Sequence, residues 1–153
     1  MDVIFTRTDR RTRLVCRRAN GTFTSADLGP GVPSHDFAHL IVERALRLAS
    51  GFFVNIANGY SIQQLSEATT IHSLGPEPYV AEILARALGS LATGACTMEQ
   101  FPDLVRVELE QMRLPVPQGL TAEATARMLT ELRTLLERFG NLAPGEVLKL
   151  RFG

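Results

Sequence analysis

Apolar and polar residues alternate with a period of two near both ends of the chain, which predicts β-strands there. Short β-prone runs occupy residues 3–6 and 14–16, and Asn20-Gly21 is a dipeptide typical of a hairpin turn before a third strand. Near the C-terminus the alternating apolar positions are Leu148, Leu150 and Phe152. Because a lone strand is not stable, we expect the last strand to join the first three in a small, mainly antiparallel sheet.

The middle of the chain follows the period of an α-helix instead. Helices are expected over residues 34 to about 49 with Ser34 as its cap, over 52–58, and from a capping box at 61–64. Three more are expected from residue 76, from 97 to before Pro115 with Leu104 and Met112 facing inward, and over 121–139. The pattern predicts an α+β fold in which a helical middle packs on one face of the sheet, in a single domain of residues 1–153.

Composition and charge narrow the classes of function. The 153 residues carry 16 basic and 16 acidic side chains, so no overall field attracts nucleic acid or an anionic membrane. No signal peptide is visible, and the uncharged segment 48–66 contains too many Gly, Asn and Gln residues for a membrane span. Cys16 and Cys96 follow no metal or disulfide spacing, so we expect a cytoplasmic protein with reduced thiols.

One group of residues has the spacing of a metal site. His35 and His39 lie one helical turn apart, Glu43 continues the same stripe at about 100° per residue, and Arg47 extends it. Asp36 takes the place of the general base in the H-E-x-x-H helix of zinc hydrolases, where a carboxylate polarises metal-bound water. The pattern therefore indicates a possible site for zinc or another divalent metal, with Asp36 as the candidate catalytic residue.

The candidate metal ligands are His35, His39, Glu43 and His72. Asp is one methylene shorter than Glu, and Glu43 lies about 12 Å of helix rise from His35, so these residues alone do not complete a site. His72, Glu77 or Glu82 from a later segment could complete it. The alternative interpretation is that the stripe is the solvent-facing side of an amphipathic helix, stabilised by pairs four residues apart.

A second cluster consists of arginines in the N-terminal hairpins. They are Arg7, Arg10, Arg11, Arg13, Arg17 and Arg18. Binding of nucleic acid would require them on one face beside aromatic side chains. The nearby aromatics, Phe5 and Phe23, fit the buried face of a sheet better, so nucleic acid is the less favoured partner.

The segment Val32-Pro-Ser-His-Asp-Phe-Ala-His39, followed by Val42-Glu43 and Gly51-Phe52, resembles a motif of small, uncharacterised bacterial proteins. A hairpin precedes this motif and a Pro-Gly turn with a final strand follows the helical region, as in that family. The resemblance implies a bacterial, cytoplasmic protein and implies no activity.

Three functional hypotheses remain open. The absence of a complete catalytic set favours a non-enzymatic domain that acts by self-association as a homo-oligomer or through a protein partner. The first alternative is a metal-binding protein or metal-dependent hydrolase using the His35/His39 helix. The second is nucleic-acid binding by the arginine-rich hairpins.

Overall fold

The two ends of the chain form a four-stranded antiparallel sheet, as the alternating pattern predicted. A computed structural model describes all residues from 1 to 153. The strands are β1 (Asp2–Arg7), β2 (Thr12–Arg17), β3 (Phe23–Asp27) and β4 (Val147–Arg151). Their order is β3-β2-β1-β4, so the first and last strands are neighbours.

The inner face of the sheet is apolar. Val3 pairs with Cys16 on one side and Leu150 on the other, while Phe5 occupies the next inward position on β1. Successive side chains of a strand point to opposite faces, so Val3 and Phe5 both face the helices and are fully buried. The expected sheet with one buried face is confirmed.

Six helices separate the third and fourth strands. They are α1 (Ser34–Ala45), α2 (Phe52–Ala57), α3 (Ala68–Ser73), α4 (Glu77–Thr93), α5 (Phe101–Gln111) and α6 (Ala122–Gly140), with a 3₁₀ turn at Gln64–Ser66. The capping box is confirmed: the amide of Ser61 donates to Oε1 of Gln64 over 2.8 Å, and the amide of Gln64 donates to Oγ of Ser61 over 3.1 Å. The fold is therefore α+β, with the helical layer on one side of the sheet.

Helix α1 is at the centre of the helical layer. It packs against α4, α6 and α2, and the Phe37 ring lies edge-on to Phe5 of the sheet at 4.8 Å and to Phe139 of α6 at 5.7 Å. As a result every residue from Phe37 to Glu43 is buried. This part of α1 is covered on nearly all sides and therefore has no solvent-exposed polar face.

Both ends of α1 differ from the boundaries predicted from the sequence. Ser34 is the first helical residue and makes no capping bond, because Pro33 takes the cap position. The helix ends at Ala45 and not near residue 49, since Arg47 adopts a left-handed conformation with φ of 49°. Arg47 is consequently outside the helix and does not extend the His35–Glu43 stripe.

Three apolar side chains expected inside are exposed. Phe23 is 65% exposed, because it begins an edge strand on the face that no helix covers. Leu104 and Met112 are 44% and 49% exposed: α5 packs mainly on α4, Leu104 lies on a side of α5 that is not covered, and Met112 follows the end of the helix. None of the six helices is long and apolar enough to cross a bilayer.

Candidate metal centre

Two helices bring three potential metal ligands together. His35 and His39 lie one turn apart on α1, and Glu82 lies on the neighbouring α4. Oε2 of Glu82 is 3.0 Å from Nε2 of His39 and 3.3 Å from Nε2 of His35. The ligand atoms of all three residues lie within 4.8 Å of one another. Two imidazoles and one carboxylate in this arrangement are a donor set suited to zinc and similar ions.

Glu43 supports this group from behind. Its side chain is 0% exposed, and its Oε1 lies 3.0 Å from Nδ1 of His39. The same carboxylate accepts hydrogen bonds from two backbone amides at the start of α2, that of Phe52 over 2.8 Å and that of Val54 over 2.9 Å. Glu43 therefore joins α1, α2 and the His39 ring through three hydrogen bonds.

Gly51 makes this close approach possible. A Cβ atom built at Gly51 would lie 2.4 Å from Cδ of Glu43, well inside van der Waals contact. The φ angle of Gly51 is 170°, an extended value that any residue adopts, so the requirement for glycine is steric. The carboxylate occupies the space that a side chain would fill.

The Glu43 contact fixes how His39 can act. A carboxylate only accepts hydrogen bonds, so Nδ1 carries a hydrogen and Nε2 is the nitrogen that faces Glu82. A carboxylate behind a histidine is a recurrent support for metal ligands, since it orients the ring and increases its basicity. The Nε2 lone pair of neutral His39 would point towards His35 and Glu82.

Charge is unevenly shared at the site. Burial by itself lowers the pKa of His39, but the hydrogen bonds and charges of Glu43 and Glu82 outweigh it and raise the pKa to about 9. Hydrogen bonds from His35 and His39 hold the pKa of Glu82 far below its usual range. Without a metal, the protonated His39 ring thus lies between the carboxylates of Glu43 and Glu82. A divalent cation bound at Nε2 would be stabilised by the negative charge of the same two carboxylates.

The three ligands open into a cleft of about 330 Å³. Its wall is formed by Phe52, Asn55, Leu65, Ile71, Pro78 and Tyr79. Asp36 also lines it, and burial raises the pKa of its carboxyl group. The Asp36 side chain makes no ion pair with any residue, so its carboxylate is available to whatever enters the cleft.

Two candidate ligands from the sequence are not in this group. Glu43 is adjacent to the site, but both of its oxygens already accept hydrogen bonds from His39 and the start of α2. His72 is exposed on α3, where its Nδ1 lies 2.8 Å from the carbonyl oxygen of Ala68. Of the later residues named in the sequence analysis, His72, Glu77 and Glu82, it is Glu82 that lies beside His35 and His39.

The solvent-facing interpretation of the stripe is wrong for its central members. His39 is 7% exposed and Glu43 is 1% exposed, so only His35 among them faces water. Periodicity placed these residues on one side of α1 correctly. It did not reveal that α2 and α4 cover that side.

The N-terminal arginines do not form one free cluster. Arg7 donates to the carbonyl oxygens of Gly140 and Leu142 over 2.7 and 2.8 Å. Arg18 donates to two carbonyl oxygens at and after α2, over 2.6 and 2.5 Å. These two side chains tie the sheet to the helical layer, which removes them from the set proposed for nucleic acid.

Comparisons with protein-family models, with curated proteins and with solved structures gave no match for this chain.

Proposed function

We propose that this protein binds a divalent transition-metal ion, zinc in the first instance, through Nε2 of His35, Nε2 of His39 and Oε2 of Glu82. The observation that carries the proposal is the convergence of these three atoms within 4.8 Å, with a buried carboxylate behind His39. The bacterial, cytoplasmic setting implied by the sequence motif remains part of this proposal.

Two of the three distances between the donor atoms suit zinc. Tetrahedral ligands about 2.0 Å from zinc are separated from one another by about 3.3 Å. The two separations involving Oε2 of Glu82 are 3.0 and 3.3 Å. All three donor atoms lie within 4.8 Å of one another, so binding of one ion would use both contacts of Glu82 and bring the two imidazole nitrogens closer together.

A hydrolytic role is supported by the open side of the site. Three protein ligands leave a fourth position of zinc for water, as in zinc hydrolases. That position would face the cleft that Asp36 also lines. Asp36 has no ion-pair partner and lines the same cleft as His35, His39 and Glu82, so it is our candidate for the group that accepts the proton of the bound water.

The metal proposal is tested by loading untagged protein with zinc, removing excess metal and measuring the bound zinc by mass spectrometry. We expect one zinc per chain in the wild type and a loss of at least tenfold in affinity for His39→Ala and Glu82→Gln. His72→Ala is the matched control, because it removes an exposed imidazole outside the site. Equal zinc retention in the control and both site variants would refute the proposal.

Self-association is a second candidate, favoured by the outer side of α5. Leu104 and Val107 are exposed there, and Met112 and Val116 follow the helix with 49% and 48% exposure. Apolar side chains concentrated on one helix are typical of a surface that another chain covers. Analytical ultracentrifugation of the wild type and of Leu104→Glu/Val107→Glu is the test. A wild type that is still monomeric at about 100 µM, where a dimer with a micromolar Kd would be largely formed, would rule out self-association.

A further inference from the structure

The cleft is lined by two kinds of side chain. His35, Asp36, His39 and Glu82 are titratable, and Asn55 is polar. The apolar or aromatic side chains, which together form the apolar wall, are Phe52, Leu65, Ile71, Pro78 and Tyr79. A mostly apolar cavity with a few polar groups binds ligands that combine the same two kinds of group.

The apolar wall is held in place by its own packing. The Phe52 ring lies 5.1 Å from Phe53 in an edge-on contact and 6.2 Å from the ring of His39. Its backbone amide donates to the buried Glu43 carboxylate. Because the same carboxylate orients His39, the wall and the metal ligand are positioned relative to each other before any ligand arrives. A prearranged cavity avoids part of the entropic cost of binding.

We propose that the cleft binds a small organic molecule that ligates the metal ion through an oxygen atom and places an apolar group of the size of an aromatic ring against this wall. The inference rests on the proposed metal site and specifies its ligand. The size follows from the volume of about 330 Å³, near the lower limit for small-molecule pockets and too small to enclose a folded chain.

Asp36 adds a requirement to the ligand. A divalent ion and the Glu82 carboxylate together carry one net positive charge, which attracts a ligand oxygen. The Asp36 carboxylate lines the same cleft and would accept a hydrogen bond from a donor on the ligand. The matching head group therefore has a metal-binding oxygen with an N–H or O–H donor next to it, as in a hydroxamic acid or in an amide with bound water.

Benzohydroxamic and acetohydroxamic acids test the metal-binding head group and the apolar group separately, because they share the head group and differ in the apolar substituent. Affinities for the zinc-loaded protein are measured by isothermal titration calorimetry. Burial of a phenyl ring in place of a methyl group removes roughly 60 Å² of apolar surface from water, so we expect about tenfold tighter binding of benzohydroxamic acid.

Variants assign that preference to the cleft. Ile71→Ser should reduce the preference for the phenyl compound several-fold and leave acetohydroxamic acid unchanged. Val147→Ser, an exposed apolar position on β4, is the matched control and should alter neither affinity. Asp36→Asn should retain zinc and weaken both hydroxamic acids.

Zinc content is measured in the same samples, so the two proposals fail separately. Protein without zinc refutes the metal site and the ligand inference with it. Zinc-loaded protein that binds both compounds equally, or binds neither, overturns the ligand inference and leaves the metal site intact. A preference that persists in Ile71→Ser would place the apolar group elsewhere and also overturn it.

Discussion

Replacement of Glu43 by Gln tests the reasoning about the site most directly. The substitution keeps the shape of the side chain and removes its charge. Glu43 accepts from His39 and from the amides of Phe52 and Val54, and its side chain has no contact with water. The Gln amide group has one oxygen and one NH₂, so at least one N–H that now has an acceptor would face a donor.

The loss can be estimated from these contacts. A hydrogen bond to a charged group contributes about 1.5–3 kcal/mol, and a buried donor left without an acceptor costs about 1–3 kcal/mol. We therefore expect Glu43→Gln to lower the free energy of unfolding by roughly 2.5–6 kcal/mol. Zinc affinity should fall by about 10–100-fold, because His39 loses the group that orients it.

Urea unfolding followed by circular dichroism, with EDTA present, measures the stability of the metal-free variant. Glu123→Gln is the control, since Glu123 pairs with Arg127 on the exposed side of α6 and contributes at most about 1 kcal/mol. If Glu43→Gln unfolds within about 0.5 kcal/mol of the wild type and binds zinc equally well, the supporting role assigned to this carboxylate is wrong.

Three further predictions follow from the same structure. Gly51→Ala should destabilise the wild type by about 1–3 kcal/mol but cost much less in a Glu43→Ala background; urea unfolding of the double-mutant cycle measures this, and additive losses would contradict the steric argument. Because the folded-state pKa of His39 is about 9 and its ordinary value is 6.5, its stabilisation of the metal-free protein is fully present below pH 6.5 and disappears as the pH rises through 9. The free energy of unfolding should decrease by about 3 kcal/mol over that interval, and a stability that is constant or rises there would refute the assignment. Burial raises the pKa of the Cys16 thiol to about 12, so a thiol reagent at pH 8 should modify Cys96 in the folded protein and Cys16 only after unfolding, which mass spectrometry of the labelled chain distinguishes.

Local patterns in the sequence were sufficient for most of the fold. The alternation at residues 148, 150 and 152 predicted β4. The Ser61–Gln64 and Thr97–Gln100 pairs form the reciprocal hydrogen bonds predicted for capping boxes, although the helices themselves begin later, at Gln64 and Phe101. These features depend on residues close together in the chain. Burial depends on what packs from elsewhere, and for this reason the exposure of Phe23 and Leu104 was not foreseen.

The candidate metal centre was only half predictable for the same reason. The spacing of His35 and His39 indicated a candidate site, but the proposed third ligand lies on α4, and Glu82 was one of three possibilities without a local signal to choose between them. Glu43 was placed on the correct side of α1 and given the wrong role. Its partners are amides after Gly51, and a glycine that makes room for a carboxylate is not distinguishable in sequence from one that ends a helix.

The position of β1 between β2 and β4 has a consequence for biosynthesis. The backbone edge of β1 that bonds to residues 147–151 has no partner until those residues have been synthesised and have left the ribosome. During that interval the nascent protein offers an unpaired apolar strand, which is a template for misassembly with other chains. Chaperone dependence and inclusion-body formation should therefore increase sharply in fragments that stop before residue 147.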